Sequence, residues 1–262
     1  MPTIRIFHNL ARSGGTLIGK CVGCMKDVHL LSEIHPQGCN RFNPLVQAHK
    51  WHGLFGAVEL SELGKRKGIP FVEAIRIIEE QSRRMGGHLV LRDWAHLDFM
   101  AVPFLAKPTH RLLLAEALRS TFEPYQVALV RHPVDEWLSL RKLAILEGKL
   151  SLEDYMEGYL RFAEHAVEIG YLRYEDFTHD AIGVMKQLCG RLQLPYDPNF
   201  LHKWPKYNKI TGDVGRTSRG GKSDKIVPLK RASMEPGLIE RFRSNPKYHK
   251  ALEILEYSDV DG

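Results

Sequence analysis

The sequence predicts an α/β fold: a single domain, residues 1–262, with a central parallel sheet flanked by helices. Three observations lead there. Short apolar runs alternate with segments whose apolar residues recur at helical spacing. No internal repeat or low-complexity linker divides the chain, and 262 residues suffice for one sizeable core. The first apolar run ends in glycines that open directly into a helix. Strands separated by helices pair in parallel and need cover on both faces.

Taken in order, Ile4–Phe7 begins the sheet, and Thr16–Met25 follows as a helix with Leu17, Ile18, Cys21, Val22 and Met25 on one stripe. Val28–Leu31 is the second strand. A helix opens at Pro70, sets Phe71, Ile75 and Ile78 on one face and stops at Gly86-Gly87. His88–Arg92 is a strand, Arg111–Phe122 a helix, and Tyr125–Val130 the most apolar strand. Pro133 opens a helix through Leu146, and Ser151 with Asp154 caps another that ends near Glu168. Tyr171–Tyr174 is the last strand, with Thr178–Leu192 helical after it. Gln37–Gly68 and Ile210–Lys225 lack clean periodicity and read as long loops, of the kind that form lids or binding loops.

With 44% hydrophobic and 26% charged residues the chain has the make-up of a globular domain, which excludes wholesale disorder. Its longest apolar stretch, Phe99–Ala106, is cut by Pro103 and is too short to span a bilayer. No apolar leader follows Met1, and four cysteines are too few for a disulfide scaffold; together these predict a cytoplasmic protein. The charge is focused. Residues 203–231 carry nine Lys and Arg against Asp213 and Asp224, a local +7 in a chain of net +6. Such a stretch suits an anionic ligand. It holds only Trp204 and Tyr207 as aromatics, which argues against a nucleic-acid partner.

Ala11-Arg12-Ser13-Gly14-Gly15-Thr16 lies between the first strand and its helix. That arrangement aims backbone N–H groups and a helix N-terminus at an anion. Glycine lets the backbone approach closely, Arg12 adds a fixed charge, and Ser13 and Thr16 add hydroxyl donors. Gly14 to Lys20 also satisfies the spacing G-x-x-x-x-G-K. Cys21, however, stands where a magnesium-binding Ser or Thr belongs, and Gly19-Lys20 falls inside the helix instead of at its mouth.

Arg12–Thr16 resembles the 5′-phosphosulfate loop of sulfotransferases that use 3′-phosphoadenosine 5′-phosphosulfate. Val130–Ser139 resembles the 3′-phosphate motif of the same family, an Arg at a strand end with a Ser eight residues on. Tyr171–Phe177 is similar to the family's Arg-Tyr-Glu-Asp segment, and Leu192–Asp197 to the turn that follows it. Gly212–Lys225 falls where the family carries a nucleotide-covering loop. The resemblance implies a P-loop-like 5′-phosphosulfate loop after the first strand, and sulfuryl transfer from that donor to a hydroxyl or amine. It implies that Arg12, Ser13, Gly14, Gly15 and Thr16 hold the sulfonate and 5′-phosphate, and that Arg131 and Ser139 bind the 3′-phosphate. Arg219 and Gly220 would close over it; adenosine 3′,5′-bisphosphate would leave as product, and no metal would take part. The acceptor stays open: a small molecule, a lipid, a carbohydrate or a carrier-bound chain.

An acceptor hydroxyl needs a general base. Glu33 follows the second strand, at a distance from the loop similar to that of the glutamate in some bacterial members. Asp93 follows the third strand, where cytosolic members carry a His, and His96 lies three residues beyond. Each also has a structural alternative: pairing with Arg12 or Arg41 for Glu33, a helix cap for Asp93, and a buried imidazole for His96. His35, His49 and His52 read as surface residues on the substrate side, and Tyr174 and Glu175 as a structural bracket. Two other functions fit parts of the chain. One is a P-loop kinase using Gly14–Lys20 with Mg-ATP; the other is a non-catalytic nucleotide-binding protein using the basic segment.

Overall fold

The computed structural model describes residues 1–65, 68–212, 225–235 and 237–260. Its strands are β1 (Thr3–Asn9), β2 (Val28–Ile34), β3 (His88–Asp93), β4 (Glu123–Val130) and β5 (Tyr171–Arg173). They form one five-stranded sheet in the order β2-β3-β1-β4-β5, every neighbouring pair parallel. Side chains alternate between faces along each strand, and both faces are apolar. Ile4, Ile6, Leu89, Leu91, Ala128 and Val130 enter one core, whereas Phe7, Val90, Val127 and Leu129 enter the other.

Helices cover both faces. In chain order they are α1 (Gly15–Gly23), α2 (Pro44–His52), α3 (Ala57–Lys65), α4 (Phe71–Arg84), α5 (His96–Phe99), α6 (Leu113–Leu118) and α7 (Pro133–Leu140). They continue with α8 (Leu152–Ile169), α9 (Tyr174–His179), α10 (Ala181–Arg191), α11 (Phe200–Lys203), α12 (Leu238–Arg243) and α13 (Pro246–Ile254). The first core sits under α4, α6, α8 and α13; the second sits under α1, α10 and α11. Ser151 caps α8 by accepting from Asp154 N, and Tyr155, Tyr159 and Phe162 bury the helix against the sheet. Truncating a fully enclosed ring such as Phe162 to Ala would cost about 3–5 kcal/mol. Among the described residues no helix is long and apolar enough to cross a membrane.

Helices α5, α11, α12 and α13 have no counterpart in the sequence reading, and three further segments depart from it. The expected loop Gln37–Gly68 contains α2 and α3. Asn43 caps α2 through Val46 N, Pro44 starts it, and Gly53 ends it at φ 63°. These are sound start and stop signals around a helix with little apolar contrast between its faces. The helix from Pro133 ends at Leu140 and yields to a short 3₁₀ turn at Ala144–Leu146. The last helical stretch starts earlier than expected, at Tyr174, and breaks at Asp180, which caps α10 through Gly183 N.

The strand order places β1 between β3 and β4, with the chain leaving β1 for α1 at the point where the winding reverses. In open α/β sheets that crevice, beyond the carboxyl ends of the strands, is where ligands bind.

Candidate active site

The loop after β1 is shaped by two residues in the left-handed region, Arg12 at φ 71° and Gly14 at φ 94°. A Cβ on Gly14 would collide with the Tyr174 ring, and one on Gly15 would collide with the Asn9 side chain. Glycine is therefore required here by both conformation and space. Ser13 is fully buried, and its hydroxyl donates to Leu10 O at 2.7 Å, closing the loop from inside. Its hydroxyl is thus engaged within the loop and turned away from the mouth.

Two motifs far apart in sequence meet at this loop. Arg12 Nε donates to Ser139 Oγ at 2.9 Å, and Arg131 Nη1 donates to Arg12 O at 3.1 Å. The Arg131 guanidinium lies over the Tyr174 ring at 4.9 Å, so one aromatic face supports both Arg131 and the Gly14 turn. Burial and the neighbouring Arg131 charge lower the pKa of Arg12. Among the described residues neither arginine has a carboxylate within ion-pair distance. Converging cations without a counter-ion at a helix N-terminus suit a bound anion. Glu175 braces the same corner, accepting from His132 N at 3.0 Å and from the Tyr257 hydroxyl at 2.7 Å. The bracket role expected of Tyr174 and Glu175 fits this geometry.

The three base candidates occupy different settings. Glu33 sits at φ 56° where the β2–β3 register shifts, and its side chain is 15% exposed. Positive φ in a residue with a Cβ is strained and marks a position the surroundings enforce. Its Oε1 lies 3.8 Å from Arg92 Nη2, so the partner is Arg92 instead of Arg12 or Arg41. Asp93 caps no helix. It is buried, with Oδ2 at 2.6 Å from His8 Nδ1, while His8 Nε2 faces Gln126 Oε1 at 3.0 Å. His96 is buried too; its Nε2 donates to Val102 O at 2.9 Å, and burial holds its pKa down to about 4. Of the three, Glu33 is the least buried.

Arg92 is the residue that sequence reasoning passed over. It is 4% exposed and donates through Nε to Asn9 Oδ1 at 3.2 Å, and through Nη1 to Ser32 Oγ at 2.8 Å and Thr211 O at 3.3 Å. Nη2 reaches Thr16 Oγ1 at 3.4 Å. One guanidinium thus ties β1, β2 and Thr16 of the loop after β1 to Thr211, the residue before Gly212–Lys225. The signal was an arginine directly after the apolar run Leu89–Leu91 of a strand, a buried placement rarely seen without a partner. His35 is likewise no surface residue: it is fully buried and bonded to Asp98 Oδ1 at 3.1 Å. His52 is partly buried against Leu30 O, and His49 against Phe55 O. Arg219 and Gly220, expected to cover the nucleotide, lie outside the described residues.

A sulfotransferase domain from the curacin biosynthetic pathway superposes with a TM-score of 0.66 at 17% identity, covering 99% of each chain. A sulfotransferase domain from the Synechococcus PCC 7002 olefin synthase superposes with a TM-score of 0.65 at 13% identity, covering 98% of this chain and 96% of that one. This chain has the sulfotransferase fold. Mouse sulfotransferase SULT7A1 complexed with PAP aligns at 15% identity over 98% of this chain and 86% of that one, with a TM-score of 0.41, too low to bear on the site. No family model and no curated protein matches the sequence. Within the sulfotransferase fold, Lys20 lies away from the loop mouth. It is 6% exposed on α1, with its ammonium 5.9 Å from the Trp204 ring centre.

Proposed function

We propose that the chain is a sulfotransferase that moves a sulfuryl group from 3′-phosphoadenosine 5′-phosphosulfate to a hydroxyl or amine acceptor. The observation that carries the reading is the junction of Arg12, Ser139 and Arg131, which draws both family-like motifs into one cationic pocket. The loop's geometry fits a phosphosulfate, because the missing Cβ atoms at Gly14 and Gly15 keep the backbone close-packed beneath a helix N-terminus. When bound, the donor supplies the sulfuryl group and a bisphosphate leaving group.

Arg12, the amides of Gly14, Gly15 and Thr16, and the closed Ser13 turn would hold the sulfonate and 5′-phosphate. Arg131 and Ser139 would hold the 3′-phosphate, and Arg219 and Gly220 would cover it. Glu33 would accept the acceptor's proton as the new S–O bond forms. The carboxylate lies 3.8 Å from the Arg92 guanidinium, which would hold it in place for that transfer. Asp93 and His96 act through the scaffold: Asp93 orients His8, and His96 ties α5 to the Val102 carbonyl. Positioning and charge stabilisation then do most of the catalysis, as in phosphoryl transfer.

An aromatic cluster follows β3 at the carboxyl end of the sheet, where we place the acceptor side of the site. Trp94 packs against Phe42 and Phe104, each at 5.0 Å between ring centres, and Arg41 covers Phe104 at 4.5 Å. Small-molecule, lipid, carbohydrate and carrier-bound acceptors share the needed hydroxyl or amine. The reading is tested by thermal shift with adenosine 3′,5′-bisphosphate, Mg-ATP and an oligonucleotide, followed by labelled-sulfate transfer to pooled metabolites. Stabilisation by the bisphosphate is expected. Stabilisation by Mg-ATP alone would replace the reading with a kinase.

A further inference from the structure

Behind the arginine pair lies a carboxyl group that the proposed chemistry does not use. Glu136 sits on α7, five residues past Arg131, and is 1% exposed. The Tyr155 hydroxyl donates to Pro133 O at 2.9 Å and stands 3.4 Å from Glu136 Oε1. Glu136 Oε2 is enclosed without a hydrogen-bond partner among the described residues, and so is Arg131 Nε. The charged and titratable groups around it come from every packed element: Arg131 from the end of β4, Glu175 from α9, and Tyr155 and Tyr159 from α8. Its chain neighbour Asp135 is turned outward, into a two-bond pair with Arg231 at 2.9 and 2.8 Å. Beyond them, His132 caps α7, and Tyr257 donates to Glu175.

An enclosed carboxylate with so few donors is costly. Burial pushes the Glu136 pKa well above the usual carboxylate range, with Glu175 adding to the rise and Arg131 opposing it. A buried acid beside a phosphate-binding arginine has a direct electrostatic consequence. An ionised Glu136, enclosed near the equally enclosed and unpartnered Arg131 Nε, would offset part of the charge that a phosphate would use.

We propose that Glu136 is a positioning residue for nucleotide affinity: its carboxyl acts through Arg131, permitting 3′-phosphate binding when neutral and competing with that phosphate when ionised. The proposal rests on Arg131 being the 3′-phosphate ligand. The sign follows from linkage. If ionised Glu136 weakens phosphate binding, bound phosphate must equally raise the proton affinity of Glu136. Nucleotide affinity therefore falls as pH rises through the Glu136 titration, and binding takes up protons in that range. At the effective dielectric of a partly buried site, the repulsion between the two anions is worth on the order of tenfold in affinity.

The test measures the dissociation constant of adenosine 3′,5′-bisphosphate for the full chain from pH 5.5 to 9.5, in wild type, Glu136→Gln and Glu136→Leu. The ligand's own phosphate titration is common to all three and cancels in the ratio. The ratio of wild-type to variant dissociation constants should rise with pH by about tenfold. A purely structural role would lower stability and leave that ratio flat, and a flat ratio overturns the proposal. Should both variants fail to fold, wild-type calorimetry in two buffers of different ionisation heat serves alone, run above about pH 8, where the ligand's phosphates are already fully ionised. Proton uptake on binding supports the proposal, and none at any pH overturns it. Absence of bisphosphate binding at every pH is a separate result, which removes the donor reading itself.

Discussion

Arg12 Nε donates to the Ser139 hydroxyl at 2.9 Å, joining the loop after β1 to the helix after β4 across 127 residues of chain. Neither element explains that contact alone. It follows from β1 and β4 being parallel neighbours, in register from Thr3 opposite Glu123 to Asn9 opposite Leu129. Their carboxyl ends then deliver Arg12 and Arg131 to the same place. Sheet topology thereby brings two distant motifs together at the carboxyl ends of the strands.

The first prediction concerns that site. Arg131→Ala should weaken adenosine 3′,5′-bisphosphate binding by about 2–5 kcal/mol, the usual cost of losing one member of a partly buried charged pair. Ser139→Ala should cost about 1 kcal/mol, the scale of a single hydroxyl hydrogen bond. Calorimetric titration ranks the two. Wild-type affinity in Arg131→Ala would place the 3′-phosphate elsewhere.

The second concerns the loop. Gly14→Ala forces a Cβ into the Tyr174 ring at φ 94°. The variant should lose more than about 1 kcal/mol of stability, which for a chain of this size lowers Tm by roughly 2–4 °C or more. Bisphosphate affinity should fall with it. Gly148→Ala is the comparison, because Gly148 also has positive φ, at 67°, but has nothing within 4 Å of its Cβ position. Equal melting losses in the two would show that space at Tyr174 is irrelevant.

The third is a pH effect on stability. Burial holds His96 and His132 at about 4, against an ordinary value of 6.5. In the folded chain both stay neutral until pH 4, whereas in the unfolded chain they take up protons below 6.5. Stability is therefore unaffected by them above 6.5, falls as pH drops from 6.5 toward 4, and levels off below. Each could remove roughly 1–3 kcal/mol across that window. Urea denaturation at pH 7.5 and pH 5 measures the loss. His96→Gln, which keeps a donor for Val102 O, should show a smaller difference between the two pH values. An unchanged difference would mean that His96 is not titrating this way.

Much of the sheet was legible in the sequence because its strands are continuous apolar runs bounded by polar residues, as Leu89–Leu91 and Val127–Val130 show. The two motifs were legible as well, since Pro133 and the glycines mark where helices begin. What could not be read was long-range pairing. Arg92 is an oddity in its own strand and becomes the hub of a network only when β1 and β2 flank it. The same holds for Asp93, whose local pattern suggests a cap while its partner His8 lies on the adjacent strand. Helix α2 escaped because its apolar stripe is weak, and the packing of Ala48 and of Leu54 and Phe55 just after it decides that stretch; α3 is mostly exposed and offers little apolar pattern to read.

The last prediction separates the three base candidates. A hydroxyl acceptor gives up its proton as the S–O bond forms, so the base must reach the crevice and be free to take that proton. Glu33 is the candidate we assign to the base, because its side chain is the least buried of the three, at 15% exposed, and lies 3.8 Å from Arg92 at the register shift that ends β2. Asp93 and His96 are buried and bonded to His8 and Val102. Glu33→Gln should therefore lose about 10²-fold or more in turnover while donor affinity stays nearly constant, the signature of a lost general base. Asp93→Asn should instead lower Tm, since it leaves His8 facing a weaker partner in the sheet interior. His96→Gln should leave turnover within a few-fold. Arg92→Lys keeps the charge but loses the fork that spans Asn9, Ser32 and Thr211, so it should lower turnover less than Glu33→Gln does. Turnover and donor affinity measured together on one acceptor decide the matter. Should Glu33→Gln turn over at the wild-type rate while Asp93→Asn fails without losing stability, the proton goes to the His8–Asp93 pair, and the acceptor must approach from the β1–β3 side of the crevice.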